Sequence, residues 1–219
     1  NGRGTINGDV RCKEFKINGA CDVNGKLKAE VGVVRGNTKV NEDLYIGDFS
    51  VYGNSSLDGN LYSTMLNVKG SCTVKKSVNS EMVKVYGRLH VGDSCKTDHF
   101  LGKGVFEVEN LLESNKIDII VNGGKCYAKE IKGDLIDVRL QPDKGVLKFI
   151  KNIMSFVGDK SFLYVDLLEG NEINLEGTKA KVVKGSHVII NNDCDIELVE
   201  YTDKLEILGS GKVKESKKI

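Results

Sequence analysis

Proline occurs once in the 219 residues, tryptophan not at all, and aromatic residues make up only 6%. Few aromatics beside 25 glycines suit short strands joined by tight turns better than helices, so we read the class as all-β. No apolar run nears the ~20 residues a helix needs to cross a bilayer, and no charged-then-apolar leader opens the chain. Neither sign of charge prevails: 32 basic residues face 31 acidic ones, which excludes a global field that would draw in nucleic acid. Close cysteine pairs are missing too. Cys12, Cys21, Cys72, Cys95, Cys126 and Cys194 are scattered, and a chain of this length needs no disulfide staples, so reduced, buried thiols and a cytoplasmic setting are expected. The chain opens without methionine and already within the repeat described next, so a segment ahead of residue 1 is expected, and a removed leader stays open.

What is present is a period. An apolar β-former, an outward residue and a glycine recur every 17 residues, at Ile17-Asn18-Gly19, Val34-Arg35-Gly36, Val51-Tyr52-Gly53, Val68-Lys69-Gly70 and Val85-Tyr86-Gly87. Gly2 and Gly104 extend the row. Apolar rows follow the same spacing through Ile6, Val23, Val40, Leu57, Val74 and Val91, and through Val10, Leu27, Leu44, Leu61 and Val78. Each unit thus offers three short inward-facing strands, too thin to cover their own apolar face. Stacked ~4.8 Å apart in parallel register, they bury the rows as ladders. The expected fold is a parallel β-helix of triangular section. Gly19, Gly36, Gly53, Gly70, Gly87 and Gly104 stand at one corner, where either a positive φ or a close backbone approach requires them.

Residues 1–140 are expected to form about eight coils, roughly 35–40 Å of rod. The register is expected to slip by two near Leu111-Leu112-Glu113-Ser114. Over 141–161, Gln141-Pro142-Asp143-Lys144-Gly145 reads as a turn. The three-and-four spacing of Phe149, Ile150, Ile153 and Met154 then reads as an amphipathic helix that packs on the rod or makes a weak membrane-surface contact. Residues 162–219 resume the period as a smaller block of about three coils, linking Val165, Val182 and Val199, then Ile173, Ile190 and Ile207, Val188 with Leu205, and Ile196 with Val213. Spacing leaves open whether this block extends the first rod or forms another.

The chain shows little chemistry. His90, His99 and His187 stand in no H-x-x-x-H frame, no glycine-rich phosphate loop or G-x-S-x-G elbow occurs, and carboxylates such as Asp22, Asp43, Asp48 and Asp58 sit singly. No catalytic residue, metal or cofactor is expected, and so no enzyme. Pectinase-like β-helices use longer coils with extended loops, and hexapeptide acyltransferases use 18-residue coils.

The triplets Ile6-Asn7-Gly8, Ile17-Asn18-Gly19 and Val23-Asn24-Gly25, in their register, resemble the bactofilins, polymer-forming bacterial cytoskeletal proteins. The stretch Thr178-Lys179-Ala180-Lys181-Val182-Val183-Lys184-Gly185, with Glu197-Leu198-Val199-Glu200-Tyr201, is similar to the C-terminal half of longer, two-block clostridial-type members. The resemblance implies a right-handed β-helix and nucleotide-free polymerisation by end-to-end stacking, scaffolding cell-envelope partners at the membrane. Typical members are shorter, with one helix flanked by Pro-rich tails, whereas here a second block follows. The exposed end slices would be Ile6 and Val10 on one side and Leu205, Ile207 and Val213 on the other, with the chain itself as first partner. Two alternatives stay open: a monomeric module using Tyr45, Tyr52, Tyr62 and Tyr86 to recognise a protein or glycan, and a carbohydrate-active enzyme, which a pocket with close carboxylates would support.

Overall fold

The computed structural model describes residues 2–122, 124–141 and 162–219. Short and long strands alternate through β1 (Arg3–Asn7), β2 (Val10–Ile17), β3 (Ala20–Asn24), β4 (Leu27–Val34), β5 (Asn37–Val40) and β6 (Leu44–Val51). The same alternation continues through β7 (Asn54–Leu57), β8 (Leu61–Val68), β9 (Ser71–Val74), β10 (Val78–Val85), β11 (Arg88–Val91) and β12 (Cys95–Gly102). Whole turns then run as single strands: β13 (Val105–Val121), β14 (Lys125–Leu140), β15 (Phe162–Leu175), β16 (Thr178–Ile190), β17 (Asp195–Ile207) and the short β18 (Lys212–Lys218). Each strand pairs in parallel with its counterpart one turn on, giving a β-solenoid of about eleven turns.

Through the first seven turns the partners are 17 residues apart, as in Leu27↔Leu44, Val78↔Cys95 and Gly102↔Ile119. One ladder runs through Phe15, Gly32, Phe49, Leu66, Val83, Phe100 and Ile117 and continues through Ile136, Ile173, Val188 and Leu205. Such rows form one continuous core, in which Phe49, Phe100 and Phe106 are among the largest fully buried side chains.

Three inward faces form from two strands per turn, because the eight-residue strands bend. In β10, Val78 and Ser80 point in, Glu81 and Met82 both point out, and Val83 and Val85 point in again. Buried hydroxyls hold that bend: Ser80 Oγ donates to Met82 O at 3.0 Å, Thr97 Oγ1 to Glu81 O at 3.0 Å, and Ser114 Oγ to Lys116 O at 2.8 Å. They satisfy carbonyls that the break in alternation turns away from the ladder.

The glycine corner needs room, not an unusual φ. Among the described glycines, positive φ is confined to Gly8, Gly177 and Gly209. A Cβ on Gly36, Gly53, Gly70, Gly87 or Gly104 would instead run into the carbonyl oxygen of the glycine one turn below. That oxygen is occupied, since Asn37 N–H donates to Gly19 O at 2.8 Å and Asn54 N–H to Gly36 O at 2.8 Å. Another corner carries amide ladders, with Asn24 Nδ2 donating to Asn7 Oδ1 at 2.8 Å and Asn41 Nδ2 to Asn24 Oδ1 at 2.6 Å.

Two register expectations are corrected. The 17-residue offset persists past Leu111–Ser114, where Cys95 lies beside Leu112 and Phe100 beside Ile117. Extra residues enter one corner later, between Val121 and Lys125, so that Glu107 pairs Tyr127; a shift between Val108 and Leu111 then takes one back. Val182 pairs Leu167 and not Val165, because the turn there shortens to bring Val165 onto Ala180. Likewise Val199 lies beside Val183, and Ile173 beside Val188. The pairs Ile190–Ile207, Val188–Leu205 and Ile196–Val213 are as expected.

The second block continues the first rod, with β15 lying directly on β14 so that Ile131 meets Leu168 and Ile136 meets Ile173. The helix expected over 141–161, with Phe149, Ile150, Ile153 and Met154, lies outside the described residues. No helix among the described residues is long and apolar enough to cross a membrane.

Candidate functional site

A parallel solenoid exposes unpaired backbone at its two ends. Among the described residues no strand lies on the outer side of β1 or β2, which pair only with β3 and β4, nor beyond β18, which pairs only with β17. The structure gathers the sequence-predicted residues at these edges. Ile6 is 39% exposed at the first, with Val10 partly buried beside it. At the other, Ile207 is 48% exposed, and Leu205 and Val213 are only partly covered, no further turn among the described residues lying over them. Leu208, 47% exposed, belongs to the same slice and was missed by reading apolar rows alone.

Both edges are basic. Lys212, Lys214, Lys217 and Lys218 outnumber Glu215 on β18, and Arg3, Arg11, Lys13 and Lys16 outnumber Asp9 and Glu14 on the first turn. Arg3 pairs with Asp22 at 3.0 Å and Lys16 with Glu14 at 2.7 Å.

The stacking also assembles groups that local motifs do not show. His90 and Glu107, one turn apart on β11 and β13, place Nδ1 and Oε2 3.3 Å apart. The ligand atoms of His90, Glu107 and Glu109 all lie within 4.8 Å of one another. Both glutamates are exposed, unlike the buried acid that a glycosidase keeps protonated. His90 and Glu107 edge an open groove of about 1330 Å³, which continues past Tyr127, Tyr164, Lys179 and Asp195. Elsewhere His99 Nε2 meets Asp118 Oδ2 at 2.8 Å, and His187 Nδ1 meets Glu172 Oε1 at 2.8 Å.

At the carboxylates and lysines the shifts in ionisation favour the charged forms. Hydrogen bonds from Lys75 and then Lys39 hold Asp58 below the usual carboxylate range. At Asp118 desolvation pushes upward, but hydrogen bonds from His99 and Lys116 outweigh it and its pKa is lowered. Lys184 and Glu200, 2.8 Å apart, move in opposite directions, each stabilised by the other. That is the behaviour of structural ion pairs, not of a proton donor poised near neutrality.

The cysteines are core. Burial pushes Cys72 and Cys95 up to about 12 and Cys194 to about 11. All six thiols are free, and Cys12, on the open edge of β2, is the one not fully buried. Of the tyrosines, Tyr45 and Tyr62 stack with centroids 4.8 Å apart, while Tyr52 and Tyr86 stand exposed two turns apart.

No family model matches the chain, and no solved structure matches it. Two curated relatives do. The uncharacterized protein YhbE of Bacillus subtilis (strain 168) is 34% identical over 113 residues, 52% of this chain and 45% of that protein. The uncharacterized protein YhbF of the same organism is 31% identical over 109 residues, 50% of this chain and 42% of that protein. The chain therefore shares one half of its length with proteins of which that half is less than half the whole.

Proposed function

We propose that this chain is a non-enzymatic, bactofilin-like structural protein whose solenoid joins end to end with further copies or scaffolds cell-envelope partners. The observation that carries this reading is the stacking itself: each of the described turns is completed by the ladder hydrogen bonds and the apolar layer of its neighbour. A turn of the same period from another copy is the surface that best fits a terminal turn, since it supplies both. The right-handed sense and the polymer-forming role belong to this proposal. Handedness is supported by the general preference of parallel crossovers for the right-handed path.

The charges set how such joining depends on conditions. If the stack continued from one copy into the next, Val213 would lie under Ile6 and Lys217 under Arg11. The contact would then be apolar at its centre and repulsive at its rim. Assembly should rise as salt increases from about 50 mM to about 500 mM, because shortening the Debye length relieves the rim while leaving the apolar contact intact. Sedimentation velocity and negative-stain electron microscopy of the chain test this, with Ile6→Asp/Ile207→Asp expected to abolish the larger species. A wild-type chain that stays monomeric across that salt range, indistinguishable from the double variant, overturns the reading.

A further inference from the structure

The glycine corner carries a charge pattern that neither the end-to-end reading nor the overall charge balance explains. Over five successive turns the corner segments are 33–37, 50–54, 67–71, 84–88 and 101–105. They hold Arg35, Lys69, Lys84, Arg88 and Lys103 and no acidic residue at all. In a chain with 32 basic and 31 acidic residues this is a segregated edge. Among the described residues these five cations have no carboxylate partner, whereas cations on the other faces, such as Lys39, Lys75 and Lys96, are paired.

The edge is ordered by its tyrosines. One outward column reads Arg35, Tyr52, Lys69, Tyr86, Lys103, a cation and a phenol in alternate turns. Arg35 Cζ lies 5.6 Å and Lys69 Nζ 5.0 Å from the centre of the Tyr52 ring, and Lys103 Nζ lies 5.9 Å from that of Tyr86. Attraction to the rings keeps these long side chains along the rod axis and lowers the entropy lost when they meet an anion. The column's cations therefore recur every second turn, ~10 Å apart, in a straight line.

We infer that this edge binds a linear acidic polysaccharide carrying one carboxylate per disaccharide. In an extended chain of that kind the carboxylates recur at about the two-turn interval of Arg35, Lys69 and Lys103, and the phenol hydroxyls of Tyr52 and Tyr86 stand between them to meet sugar hydroxyls. Nucleic acid fits less well. Its phosphates follow one another at ~3.4 Å per strand in a duplex, and the Tyr52 ring already faces two cations of its own chain, which leaves it poorly placed to stack on bases. A lipid surface fits less well too: the only large, exposed apolar side chains on these segments are the two tyrosines, so there is no aliphatic face to insert.

Affinity electrophoresis through gels containing hyaluronate, with dextran as the neutral control, tests the inference. Hyaluronate should retard the wild-type chain, less so as salt rises, and dextran should not. Arg35→Gln/Lys69→Gln/Lys103→Gln should weaken retardation about tenfold. Lys28→Gln/Lys76→Gln/Lys129→Gln, which removes the same charge from exposed positions elsewhere, should leave it unchanged. Circular dichroism identical to wild type shows that the variants keep the fold. No retardation, or equal loss in both triple variants, overturns the assignment. So does an edge that binds phosphatidylglycerol vesicles or oligo(dT) in preference to hyaluronate.

Discussion

Substituting Gly53 by alanine, at mid-rod, isolates the contact on which the solenoid's spacing depends. The new Cβ would fall on Gly36 O, with Arg35 C and O each 2.8 Å away. Since Gly36 O accepts from Asn54 N–H at 2.8 Å, the two turns must separate and that bond must stretch. Forcing one extra carbon into a packed site costs about 1–3 kcal/mol, and weakening one ladder bond adds about 1 kcal/mol. The reduced freedom of the unfolded chain returns about 0.4–1 kcal/mol. The net loss is about 1–3.6 kcal/mol, which for a chain of this size lowers Tm by roughly 2–14 °C. Gly2→Ala provides the control, because nothing lies within 4 Å of its Cβ position, and it should leave Tm unchanged. Thermal unfolding followed by circular dichroism compares the two. If Gly53→Ala melts within about 1 °C of wild type, the corner has slack and the close approach of the turns is not what selects glycine there.

Three further outcomes are expected. Iodoacetamide at pH 8 should modify Cys12 alone in the folded chain and all six cysteines in guanidinium, as read by mass spectrometry, because burial holds Cys72, Cys95 and Cys194 protonated. Fast labelling of Cys72 would refute this. Asp58, held low by Lys75 and Lys39, contributes stability that is fully present above the ordinary carboxylate range and disappears as pH falls through its lowered folded value. Asp58→Asn should accordingly cost up to about 1 kcal/mol at pH 7 and flatten the fall in Tm between about pH 5 and pH 2; an unaltered acid limb would count against it. Thr97→Val keeps the shape of the buried side chain but removes the donor to Glu81 O, and should cost about 1–2 kcal/mol in urea unfolding.

The regular part of the fold was legible because period, inward alternation and the glycine column coincide over the first seven turns. The later part was not, and the reason is side-chain size. The true ladder through Val165 passes through Ala180, a small residue that apolar pattern matching skips in favour of the larger Val182 two positions on. The extra residues before Lys125 were likewise placed too early, since Leu111 and Leu112 look like a disrupted row while Leu112 in fact lies in register on Cys95. The exposed end slices could be read from the overlay of Leu205, Ile207 and Val213 on the first repeat. The cluster of His90, Glu107 and Glu109 could not be found by searching for ligands three or four residues apart. Its signal is a histidine and a carboxylate separated by one full period.

Where β15 settles on β14, the partners are 37 residues apart along the chain, yet inward residues still meet inward ones, Cys126 on Leu163 and Val138 on Leu175. A residue's address in this molecule is thus given by the floor beneath it and not by its distance from either terminus. From Phe162 onward each step takes its height from β14 beneath it, as in a stairwell where the flight below, and not the count of residues between Leu140 and Phe162, sets the level.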